Sequence, residues 1–178
     1  DHYRINGYAE GRVATGSTEL QNPTTVYNGV DYKLVYDYNY YINKYPDIKA
    51  AFNGDENATL RHFVECGMNE GRQGKASFNV AAYRANYADL RSAFGRNLKA
   101  YYMHYIGSGY REGRKATGNG VLKNPVTVYN GVDYSLVYDY NYYISKYSDL
   151  KAAFYGDDTA ALRHFVECGM NEGRQAKD

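Results

Sequence analysis

Short stripes of apolar residues at helical spacing recur along most of the chain, each broken after about two turns. Tyr38, Tyr41 and Tyr45 form one stripe, which predicts an inward face. Asp37, Asn79 and Asp139 each precede such a stripe, where a short acceptor side chain caps the free amides of a helix start. The residue before the cap is Tyr36, Phe78 or Tyr138, and Tyr41, Tyr83 or Tyr143 stands four positions into the helix, which is hydrophobic-staple spacing. A second helix is expected near Asp47, Asp89 and Asp149, with Pro46 tolerated at its start. A third is expected after Asp55, Asn97 and Asp157, with its face on Leu60, Phe63, Val64 and Gly67 and their counterparts. Gly67, Gly109 and Gly169 are expected to end it in a left-handed cap.

The stripes belong to a repeat. Residues 1–76 recur as 103–178, displaced by 102 positions, with roughly seven positions in ten identical. A shorter unit of 42 residues lies between, reading Y-x-x-x-Y-x-D-[IL]-x-x-A-F and closing on G-x-x-E-G-R. The two long units add T-V-Y-N-G-V-D-Y, whose Asn28-Gly29 and Asn130-Gly131 suit a type I′ turn between two short strands. The expected fold is mainly α: tandem units of three short helices each, with a small β-hairpin in each long unit. The expected divisions are 1–21, the tail of a preceding unit and a linker; 22–76, a long unit; 77–118, the short unit; and 119–178, a second long unit. The chain reads as a piece of a longer array.

Composition then narrows the partners. With 21 Lys+Arg against 20 Asp+Glu the net charge is +1, and no basic block supplies the footprint of nucleic-acid binding. No long uncharged apolar run provides a membrane span. The 23 tyrosines make up much of the 44% hydrophobic fraction, so the interior is expected to be built largely from phenol rings.

Candidate chemistry is mostly absorbed by the repeat. His2, His62, His104 and His164 occupy one repeat position, and stacking separates equivalent residues, so a repeated structural hydrogen bond is expected and a metal site is not. Cys66 and Cys168 are equivalent to each other and to Ser108, and are expected to be small, mostly buried helical residues. Glu70, Glu112 and Glu172 with Arg72, Arg114 and Arg174 are expected to tie one unit to the next, through Asp47, Asp89 and Asp149. No hydrolase, metalloprotease, phosphate-loop or dinucleotide motif is present, so neither catalysis nor a cofactor is expected. What remains is special to the long units. Tyr40 and Tyr142 fall off the inward stripe, stand where the short unit has Ala82, and are expected to be exposed. With Tyr27, Asp31, Tyr129 and Asp133 of the hairpins they form a candidate tyrosine-bearing surface for protein or sugar recognition. The competing expectation is that these rings pack hairpin on helix.

The segments YDYNYYINKYPDIKAAF, HFVECGMNEGR and YYMHYIGSGYREGRKATG resemble a tyrosine-rich helical repeat of secreted and wall-associated proteins of Gram-positive gut bacteria. Some members carry hydrolase domains, and others are immunoglobulin-binding proteins of the B-cell superantigen type. The resemblance implies a non-enzymatic extracellular module that binds a host protein, with an immunoglobulin variable heavy domain as the favoured partner. The alternative it implies is a cell-wall or glycan-binding accessory array, against which the absence of Trp weighs mildly.

Overall fold

A computed structural model describes residues 19–178, so His2 and the Gly7–Arg12 copy of the tail motif lie outside the described residues. The first long unit opens with β1 (Val26–Tyr27) and β2 (Val30–Asp31), followed by α1 (Tyr38–Lys44), α2 (Pro46–Phe52) and α3 (Glu56–His62). The short unit contributes α4 (Val80–Asn86), α5 (Ala88–Phe94) and α6 (Leu98–His104). The second long unit repeats the first as β3 (Val128–Tyr129), β4 (Val132–Asp133), α7 (Tyr140–Lys146), α8 (Ser148–Phe154) and α9 (Asp158–His164). The architecture is mainly helical, with helix triplets and two antiparallel hairpins among the described residues. Asn28 and Gly29 have φ of 47° and 77°, and Asn130 and Gly131 have 48° and 78°; both central residues are left-handed, as a type I′ turn requires.

Each α-helix has seven residues, too short to persist alone, so local signals and tertiary contacts must combine. Asp37, Asn79 and Asp139 accept from the amides of Tyr40, Ala82 and Tyr142, and Asp55, Asn97 and Asp157 do the same for the third helices. The staple closes as ring pairs Tyr36–Tyr41, Phe78–Tyr83 and Tyr138–Tyr143 at 5.8, 5.6 and 5.7 Å. Each pair adds about 0.5–1.5 kcal/mol beyond the area it buries. The unit's tail then returns to its beginning: the amides of Asp37, Asn79 and Asp139 donate to the carbonyls of Gly74, Ala116 and Ala176.

The third helix does not stop where a left-handed cap was expected. Phe63–Gly67, Tyr105–Gly109 and Phe165–Gly169 continue it as π-helical turns, with Met68 N–H donating to Phe63 O at 2.8 Å. The left-handed glycines are instead Gly71, Gly113 and Gly173, with φ of 73°, 68° and 67°. Gly67 is required for space: a Cβ there would lie 2.6 Å from the Tyr41 hydroxyl. The hydroxyl of Tyr41, Tyr83 or Tyr143 passes over that glycine to hydrogen-bond Nδ1 of His62, His104 or His164 at 3.3, 2.9 and 3.1 Å. This is the repeated histidine hydrogen bond expected from the sequence.

The Arg and Glu side chains of the G-x-x-E-G-R tail pair within their own unit and not across to the next. Arg72, Arg114 and Arg174 pair with Asp47, Asp89 and Asp149 at 2.8, 2.8 and 2.9 Å. Each guanidinium also holds the glutamate two residues before it and lies over Tyr45, Tyr87 or Tyr147, 4.8–5.0 Å from the ring centre. Asp47 and Arg72 are 25 residues apart within one unit, so the pair staples α2 to the tail. The cysteines also differ from expectation. Cys66 and Cys168 are both free and exposed, because the π-helical turn leaves its inward positions to Phe63, Val64 and Gly67.

Two hydrophobic clusters result. The first joins the long unit 22–76 to the short unit 77–118; the second fills residues 119–178 and takes in Ala85. At their centres Tyr36 and Tyr138 are buried, yet their hydroxyls have no hydrogen-bond partner among the described residues. The short unit places Phe78 at that position. Tyr36→Phe and Tyr138→Phe are therefore each expected to stabilise by about 1 kcal/mol, since an unpaired buried hydroxyl carries a desolvation cost. Calorimetry should show Tm rising by about 2–4 °C per substitution. A fall in Tm for both would mean that the hydroxyls are paired in solution.

Candidate functional site

The six residues singled out by sequence fall into two local settings in each long unit. In the first, Asp31 closes the hairpin: its Oδ1 accepts from Thr25 Oγ1 at 2.8 Å and from the Lys33 amide at 3.0 Å, and Lys33 Nζ lies 3.2 Å from its Oδ2. Burial alone would push its carboxyl up, but these donors hold it below the ordinary value. Asp133 does the same with the Ser135 amide at 2.9 Å, which holds its carboxyl low. Tyr27 and Tyr129 lean from the hairpin onto the π-helical turn, where their hydroxyls donate to Glu65 and Glu167. That hydrogen bond, made only by the neutral phenol, raises both phenol pKa values. Around Tyr27 a shallow depression is lined by Val26, Asp55, Asn57, Ala58 and Arg61.

The second setting is the outer side of the first helix. Tyr40 and Tyr142 are half-buried and not exposed as expected. Lys44 and Lys146, one turn on, reach over the rings at 5.5 and 5.1 Å from the centroids and donate to the hydroxyls at 3.3 and 2.9 Å. The bond to Tyr142 raises the Lys146 pKa. Tyr40 lines a separate open depression with Asp37, Asn39, Asn43 and Lys44. Tyr27 and Tyr40 thus belong to two different depressions.

No family model, characterised protein or solved structure matches this chain. Among the described residues no group of three or more His, Cys, Asp or Glu is placed to hold a metal ion, and no helix is long and apolar enough to cross a membrane.

The short unit's Ala82 has a local cause. It is buried beneath the connection to the second long unit, where a Cβ on Gly118 would lie 4.0 Å from the Ala82 Cβ. Asn86 Nδ2 pins that connection through the carbonyls of Lys115 and Thr117 at 3.0 and 3.1 Å. A tyrosine at position 82 would displace it. The ring at this position is therefore kept where the surface stays open, in the two long units. Sequence reasoning missed the lysines and glutamates that hold the rings; Tyr40 to Lys44 is a helical one-turn spacing and was the signal for one of them.

Proposed function

We propose that the chain is a non-enzymatic, extracellular binding module, secreted or wall-associated, that engages a host protein through the tyrosines of its long units. The observation that carries this reading is duplication of one presentation. Tyr40 with Lys44 and Tyr142 with Lys146 show the same half-buried ring, capped by the same cation, 102 residues apart. A ring held this way loses little entropy on binding and offers both an apolar face and a hydrogen-bonding edge. Two equivalent copies add avidity wherever the partner is itself multivalent. Immunoglobulin, the partner implied by the sequence resemblance, is bivalent and is the first to test.

Immobilised chain should capture immunoglobulin from serum, and Tyr40→Ala with Tyr142→Ala should weaken that capture roughly thirtyfold, the cost of an aromatic anchor at about 2 kcal/mol. Ala is a good helix former, so Tm should fall by only a few degrees. Undiminished capture by a folded double variant would remove these tyrosines from the interface. Capture by purified cell wall and not by serum would favour the glycan reading.

A further inference from the structure

The two long units have nearly the same sequence but bury it differently. In the first, Val35 and Met68 are 0% exposed. Their counterparts Val137 and Met170 are 52% and 49% exposed, beside Leu136 at 87% and Val132 at 53%. What separates the units is the covering element. The short unit lays α6 across the π-helical turn of the first long unit. Lys99 Nζ donates to Val64 O at 2.9 Å and Tyr102 Oη to Arg72 O at 2.8 Å. The Tyr102 ring lies 5.9 Å from Phe63, and Leu98 reaches the space beside Gly71. Every receiving group recurs in the second long unit, as Val166, Arg174, Phe165 and Gly173.

We infer that the face formed by Val132, Leu136, Val137 and Met170 is a docking surface for a further unit of the 77–118 type, seated through the equivalents of Leu98, Lys99 and Tyr102. The occupant is fixed by internal precedent: in the first long unit Val35 and Met68 are buried in one cluster with Tyr102 of the short unit, and Val30 and Leu34 pack against the cluster. These four side chains are apolar and exposed, whereas Arg174 and Asp149 of the same unit are held in an ion pair. An apolar patch of this kind is stable in a monomer only at a cost in solubility, and covering it removes that cost. The long units are thus connectors, each able to receive a short unit on its π-turn side.

Because Asp178 corresponds to Ala76, a second copy of residues 77–118 joined directly after Asp178 reproduces the first junction in register. Peroxide oxidation followed by peptide mass spectrometry reads the result. In the unextended protein Met170 should oxidise at least about tenfold faster than Met68, which is fully covered, since oxidation follows exposure. In the extended protein Met170 should slow to the rate of Met68, and replacing the tyrosine equivalent to Tyr102 by Ala in the added copy should restore the fast rate. Val137→Asp should leave Tm unchanged in the unextended protein and lower it in the extended one. Equal Met170 oxidation in both proteins, whether or not the added helices form, would overturn the proposal. So would protection of Met170 in the unextended protein together with dimeric sedimentation, which would assign the face to a second copy of this chain.

Discussion

Arg91→Met is expected to destabilise the protein more than any substitution in a repeat-conserved pair, and to do so at the junction of the short unit with the second long unit. Arg91 and Asp158 have side chains only 3% and 4% exposed, and their closest approach is 3.3 Å. The guanidinium also donates to the carbonyls of Arg84, Ala85, Lys123 and Asn124 at 3.0, 2.9, 2.7 and 3.3 Å. Asp158 in turn accepts from the Val126 amide at 2.9 Å. One side chain therefore fastens α4, the connection before β3, and α9. Removing it leaves a buried carboxylate without its cation and four carbonyls without this donor, a loss of about 3–5 kcal/mol. Thermal denaturation should register a fall on the order of 10 °C. Limited proteolysis should then cut first between residues 115 and 124. Arg91→Lys, which copies Lys49 and Lys151 of the long units, should recover only part of the loss, because an ammonium cannot span the same fork of acceptors. A Tm for Arg91→Met within about 2 °C of the parent would show that this junction carries little of the stability.

Alkaline pH is expected to have a still larger effect, on the whole molecule. Burial pushes the phenols of Tyr140 and Tyr143 up to about 12, and those of Tyr36, Tyr41, Tyr83, Tyr102 and Tyr138 higher still. In the unfolded chain the same phenols ionise near pH 10. Because the folded values are the higher ones, the stability from neutral buried phenols is complete below pH 10 and is lost as pH rises toward the folded values. Seven phenols each lose about 1.4 kcal/mol per pH unit in that window, so by about pH 11 the sum is on the order of 10 kcal/mol. That equals a typical domain stability of about 5–15 kcal/mol. Phenolate absorbance of the buried rings should rise in one steep step coincident with loss of helical circular dichroism. A gradual titration with helicity retained through about pH 12 would mean that the rings ionise within the fold.

Local structure was legible where the determining contacts lie within a few residues. The caps at Asp37, Asn79 and Asp139, the ring staples, and the Asn-Gly hairpins each depend on spacings of one to five positions, and spacing is what a sequence states. The histidine hydrogen bond was legible for a related reason. Its recurrence in every unit marked it as part of the framework, and its Tyr partner is itself a repeat position.

Contacts between elements were not legible in the same way. Whether Gly67 caps a helix or makes room for Tyr41 depends on a hydroxyl arriving from α1. The partner of Arg72 was foreseen as Asp47, but whether the pair closes one unit or joins two depends on how the tail returns. Tyr40 proved half-buried because Lys44 lies against it, and Ala82 proved to be a crossing point for the connection that follows. The Arg91–Asp158 pair spans 67 residues and breaks the repeat, so no periodicity announces it.

The amino-acid sequence by itself determined the repeat, its helix starts, its hairpin turns and its phenol-rich interior, because these follow from side-chain type at short and regular spacing. Only the tertiary structure decided which copies of one sequence are covered and which are open. Val35 and Val137 sit in matching stretches of sequence, yet one is buried and the other half exposed, because burial is set by the neighbour that packs against a residue and not by the residue itself.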